Sequence, residues 1–89
     1  MAWKIELDSG AVRELDKLDQ QIARRILNFL FERLAVLEDP RGIGEALRGA
    51  RLGALWKYRV GDYRVIANIE DSALTILVVR IGNRREVYR

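Results

Sequence analysis

Eighty-nine residues, 49% hydrophobic and 33% charged, predict one folded domain over residues 1–89, near the small end of what a single core can stabilise. The net charge of +3 is uneven: residues 1–47 hold seven Lys/Arg against nine Asp/Glu, and residues 48–89 hold nine against four, so the second half is the part that attracts a polyanion. With no cysteine and no histidine, the chain cannot form disulfides, thiolate metal sites or a cysteine nucleophile, and it lacks the usual neutral-pH base.

The first element in chain order is "AWKIELD", whose alternation puts Trp3, Ile5 and Leu7 on one side and predicts a half-buried strand. Asp8 or Ser9 can cap a short helix with Val12, Leu15 and Leu18 on its apolar side. Asp19 can cap a second helix, in which Ile22, Ile26, Phe29, Leu30, Leu34 and Leu37 form a core-facing stripe and Asp39-Pro40 ends the run. Arg24, Arg25, Glu32 and Arg33 on its opposite face read as solvated. The glycine-rich "RGIGEALRGARLG" is a connection with a short strand expected near Leu47 to Leu52. "LWKYRV", "YRVIANIE" and "ALTILVVRIG" then read as three strands, broken by two-residue turns at Gly61-Asp62 and Asp71-Ser72. The expected architecture is α+β, in the order β-α-α-β-β-β with room for one further strand: an antiparallel sheet packed against two N-terminal helices.

A two-residue Gly61-Asp62 connection sets a register: Val60 opposite Tyr63, Arg59 opposite Arg64, Tyr58 opposite Val65 and Lys57 opposite Ile66. Lys57, Arg59 and Arg64 then share one face, and Tyr58, Val60, Tyr63, Val65, Ala67 and Ile69 point toward the helices. Directly opposed like charges destabilise a sheet unless an anion lies between them, so the Arg59–Arg64 pair points to an anion site. "NRREVYR" returns Arg84, Arg85 and Tyr88 to the same neighbourhood.

The text from Leu47 to Ile66 and the terminal Gly82 to Tyr88 resemble the RelE/ParE toxin superfamily of toxin–antitoxin modules, with the terminal "RREVY" leaning to the RelE branch. The resemblance covers nearly the whole chain. It implies a microbial-ribonuclease-like fold, cleavage of mRNA in the ribosomal A site and a RelB-type antitoxin as partner. By motif it implies a catalytic group of Lys57, Arg59, Arg64, Arg84 and Tyr88; Arg48, Arg51 and Arg85 of the basic half are expected to bind RNA. Asn83 stands where many relatives carry a histidine.

The chemistry of this group follows from its residue types. Cleavage through the 2′-hydroxyl needs a base, charge stabilisation at phosphorus and an acid for the departing 5′-oxygen. Arginine is a poor proton acceptor, so Arg59, Arg64 and Arg84 suit a guanidinium clamp on phosphate. Lys57 can be the base if neighbouring cations lower its pKa, and Tyr88 can stack on a nucleobase, orient the hydroxyl or exchange a proton with it. The acids of the basic half, Asp62, Glu70, Asp71 and Glu86, have no ligand-cluster spacing, so no metal and no other cofactor is expected. No apolar run approaches the roughly 18 residues of a membrane span, and "MAWKIELDSG" lacks the pattern of a secretory signal; the expected location is the cytoplasm. Two other readings are a ParE-like inhibitor of DNA gyrase and a catalytically inactive module that binds RNA or a partner protein.

Overall fold

A computed structural model describes residues 2–47 and 55–83 of the chain. Its elements run β1 (Lys4–Leu7), α1 (Ser9–Asp16), α2 (Gln20–Asn28), β2 (Glu45–Ala46), β3 (Leu55–Val60), β4 (Tyr63–Glu70) and β5 (Thr75–Asn83). They form a five-stranded sheet in the order β1-β5-β4-β3-β2 with helices packed on it. Strands β2 to β5 pair antiparallel, whereas β1 joins β5 in parallel, Lys4 opposite Thr75 through Leu7 opposite Val78. A parallel partner so distant in sequence needs a long crossover, here everything between β1 and β5. The antiparallel expectation therefore holds for four strands, and the first one sets the exception.

The helix starts follow from their caps. The Asp8 carboxylate accepts from the Ala11 N–H at 2.8 Å, and that of Asp19 accepts from the Gln21 N–H at 3.1 Å, so each aspartate satisfies an otherwise unpaired first-turn donor. On α1 the fully buried contact is Ala11, and Val12, expected on the apolar side, is 43% exposed. The second helix is longer than α2 alone: it continues as a π-helical stretch, Phe29–Leu34, in which the Ala35 N–H donates to the Leu30 carbonyl at 2.9 Å. Its stripe is as expected at Ile26, Leu30 and Leu34, all fully buried. The end of this helix meets the start of the chain, since the Trp3 N–H donates to the Ala35 carbonyl at 2.7 Å.

The inner face of the sheet contributes Tyr58, Val60, Val65, Ala67, Ile69, Ile76, Val78 and Ile81 to the core. Val78 and Ile81 are three residues apart, an odd spacing that strict alternation would send to opposite faces. A bulge reconciles them: Ala67 pairs with Val78 and Ile66 with Arg80, leaving Val79 as the extra residue. Two connections differ from expectation. The link between β4 and β5 is a 3₁₀ turn at Asp71–Ala73 closed by Leu74 in the left-handed region (φ 46°), so β5 begins at Thr75. The short strand before β3 is Glu45–Ala46, earlier than the Leu47–Leu52 expected, and residues 48–52 of that expectation lie outside the described residues. Among the described residues no helix is long and apolar enough to cross a membrane.

Candidate nucleic-acid site

The β3–β4 hairpin has the register read from the sequence, with Lys57 opposite Ile66, Arg59 opposite Arg64 and Val60 opposite Tyr63. Gly61, the first turn residue, has φ +61°, and it is the turn's one left-handed position; this is the pattern of a II′ hairpin, for which glycine is the natural residue. Strand β5 completes two rows across the sheet. Lys57, Ile66 and Arg80 make one, and Arg59, Arg64 and Gly82 make the next.

The three cations of the hairpin have different surroundings. Arg64 is 5% exposed, and its Nη1 donates to the Tyr63 carbonyl at 3.0 Å and the Gly61 carbonyl at 3.4 Å. These bonds hold the guanidinium against the turn, which relieves the opposition to Arg59: one arginine is tucked in and the other, Arg59, is exposed. Lys57 is half-buried, and its Nζ is 3.2 Å from the Glu45 carboxylate of β2. This carboxylate is a neighbour of the lysine that the sequence reading did not include. The outward face is not uniformly solvated either, because Ile66 on the same side is 5% exposed.

The other side of β3 anchors the site. Tyr58 is 1% exposed, donates from its hydroxyl to the Pro40 carbonyl at 2.8 Å and meets the Phe29 ring at 6.1 Å. Burial pushes its pKa up to about 12. A Cβ on Gly44 would come within 2.7 Å of the Tyr58 ring, so a glycine lets the connection lie flat on it before β2 begins. Arg41 of the same connection bonds to Asp39 and Asp71 and lies 6.0 Å over the Trp56 ring. Its pKa is held above the ordinary arginine value, first by the hydrogen bond to Asp71.

Sequence reasoning missed Glu14 and Arg80. β1 ends at Leu7, opposite Val78, and beyond that point β5 has no strand on its outer side among the described residues. The Glu14 carboxylate of α1 takes that place, accepting from the Ile81 N–H at 2.9 Å and pairing with the Arg80 guanidinium at 3.5 Å. The broken alternation of Ile76, Val78 and Ile81 was the available signal. Arg25, Glu32 and Arg33, read as merely solvated, line a groove with Arg59. Arg84 and Tyr88 of the expected catalytic group, and Arg48, Arg51 and Arg85 of the expected RNA-binding group, lie outside the described residues.

Comparison with known proteins places this geometry. Residues 5–88 match the family described as ParE toxin of type II toxin-antitoxin system, parDE. The toxin RelE of Mycobacterium tuberculosis is 32% identical over 98% of this chain and 87% of that protein. The mRNA interferase toxin RelE of Escherichia coli K12 is 31% identical over 99% of this chain and 92% of that one. Among solved structures, the toxin–antitoxin complex RelBE2 of M. tuberculosis superposes with a TM-score of 0.84 at 27% identity, covering 97% of this chain and 95% of its counterpart. The archaeal RelE–RelB complex of Pyrococcus horikoshii gives 0.75 at 27% identity, with 97% and 99% covered.

Proposed function

Because this chain belongs to the RelE/ParE superfamily of type II toxin–antitoxin toxins, in its RelE-like branch, we propose that it is an mRNA interferase. It cleaves mRNA in the ribosomal A site and is neutralised by a RelB-type antitoxin; both act in the cytoplasm, where ribosomes are. The observation that carries this reading is the cation group gathered by two adjacent rows of the sheet, Arg59 and Arg64 in register with Gly82, two residues before Arg84, and Lys57 one row away.

In the proposed reaction the 2′-oxygen attacks the adjacent phosphorus, its proton leaves to a base, and the bond from phosphorus to the 5′-oxygen breaks as that oxygen gains a proton. Arg59, Arg64 and Arg84 stabilise the charge that accumulates on phosphate oxygens, the role planar guanidinium groups fill best. Lys57 supplies a further cation once phosphate displaces the exposed Glu45 carboxylate. Tyr88 orients the nucleotide, and Arg48, Arg51 and Arg85 bind RNA beside it. A site rich in charge and poor in acid–base pairs depends on positioning, and holding reactants in near-attack geometry supplies roughly 7–11 kcal/mol. That supports dependence on the ribosome. The spacing of Asp62, Glu70, Asp71 and Glu86, which forms no ligand cluster, supports a metal-independent reaction.

The test is primer extension on an mRNA in a reconstituted translation system, with and without ribosomes, for the parent and Arg84→Ala. Cleavage by the parent alone, and only with ribosomes, is the expected result. Unchanged cleavage by Arg84→Ala would overturn the arginine assignment. No cleavage by the parent, together with inhibited DNA supercoiling, would move the function to the ParE-like gyrase inhibition that the sequence resemblance leaves as an alternative.

A further inference from the structure

Because β2 begins only at Glu45, opposite Lys57, the last residues of β3 have no strand on that side among the described residues, and a groove of about 650 Å³ opens between that edge and the second helix. Arg25 and Asn28 of α2, Phe29 and Arg33 of the π-helical stretch, and Ile43 and Arg59 across from them line it. Its volume lies in the range of ligand-binding clefts, roughly 300–1,000 Å³. Glu32 is its one acid against three arginines. Among the described residues Lys4, Arg41, Lys57 and Arg80 are in ion pairs, whereas Arg25, Arg33 and Arg59, like Arg13, Lys17, Arg24 and Arg64, are in none, and of these unpaired cations only the first three line the groove. The Arg25 guanidinium lies at the mouth, where a Cβ on Gly61 would stand 3.1 Å from its Nη1. Arg59 therefore belongs both to this groove and to the row that contains Arg64.

We infer that the groove seats the mRNA strand next to the cleaved phosphate, with Arg25 and Arg33 each engaging a backbone phosphate and Phe29 offering a ring edge to a base. This rests on the nuclease reading above. Three arginines in no ion pair, facing a single acid, match a repeating phosphate, which guanidinium groups bind in bidentate fashion. Continuity through Arg59 selects the strand being cut over any other anion, because a chain leaving the Arg59–Arg64 row on this side enters the groove directly. Aromatic contact beside basic residues is how single strands are held without sequence choice.

The experiment compares the parent with Arg25→Gln/Arg33→Gln, and with Arg33→Gln alone in case the double change disturbs the hairpin tip. Single-turnover cleavage is followed on ribosomes carrying mRNA across a salt series, and binding is measured to ribosomes without mRNA and to the antitoxin. The expected result is a several-fold higher half-saturating concentration at an unchanged maximal rate. The slope of log affinity against log salt should flatten by about 1.4 for the double variant, two single-strand contacts at about 0.7 each. Binding to ribosomes without mRNA and to the antitoxin should not change. Equal loss on ribosomes without mRNA would assign the groove to ribosomal RNA, and loss confined to the antitoxin would assign it to protein; either overturns the inference. Parent and variant cleaving alike would remove the groove's role and leave the nuclease standing, whereas a parent that never cleaves would remove both.

Discussion

At Tyr58 a single side chain joins the connection before β2, the helix and the strand that carries Lys57 and Arg59. Its pKa is 10.0 when unfolded and about 12 when folded. The folded state thus holds the proton more tightly, and the stability this gives is complete below pH 10 and lost as pH rises toward 12. Tyr58→Phe should remove that part of the alkaline destabilisation, on the order of 2 kcal/mol, seen by comparing urea unfolding of both proteins across this range. At neutral pH the same change should cost about 1–2 kcal/mol, because the Pro40 carbonyl loses its donor. Gly44 is the complementary position. Gly44→Ala forces a methyl group onto the Tyr58 ring and the Lys57 carbonyl, and should lower stability by about 1–3 kcal/mol in thermal melts.

Among the elements, β5 depends most on a neighbour. Its first half is flanked by β1 and its second half by the Glu14 carboxylate, and the bulge at Val79 separates the two. Glu14→Ala leaves the Ile81 N–H without its acceptor and should cost about 1–3 kcal/mol. Glu14→Gln keeps an acceptor oxygen and gives up only the charge that faces Arg80, so its loss should be smaller. Hydrogen exchange at the Ile81 amide reads the difference directly: fast exchange in the alanine variant and protection in the glutamine variant are expected. Because Gly82 lies opposite Arg64, the alanine variant should also slow mRNA cleavage.

For the whole molecule, the relevant fact is that the net positive charge is concentrated in the half that forms the hairpins, while the acidic first half supplies caps and clamps such as Asp8, Asp19 and Glu14. A protein that meets a polyanion mainly through cationic side chains should lose ribosome-dependent cleavage steeply with salt. It should keep full activity with a chelator of transition metals that spares the magnesium ribosomes need. Loss of cleavage under that chelator would show that a metal takes part. A RelB-type antitoxin co-expressed with the chain should co-purify with it and abolish cleavage.

Local physics let the sequence by itself determine the elements and the hairpin register. Alternation in "LWKYRV" and "YRVIANIE", a glycine at the one left-handed turn position and aspartates before both helices each act over a few residues, so they can be read without knowing the fold. Family membership was legible for the same reason, since the motif around Arg64 is contiguous. Apart from Arg64, whose partners lie within three residues, the surroundings of the following charges were decided only by tertiary structure. Arg64 turns onto the turn carbonyls, Lys57 meets Glu45, Glu14 replaces a missing strand beside Ile81, and Arg25 with Arg33 faces Arg59 across a groove. Every one of the last three joins residues at least 12 apart in sequence. Which acid or cation fills such a place depends on how β1, the helices and the β2 connection close over the hairpins, and no local pattern encodes that closure.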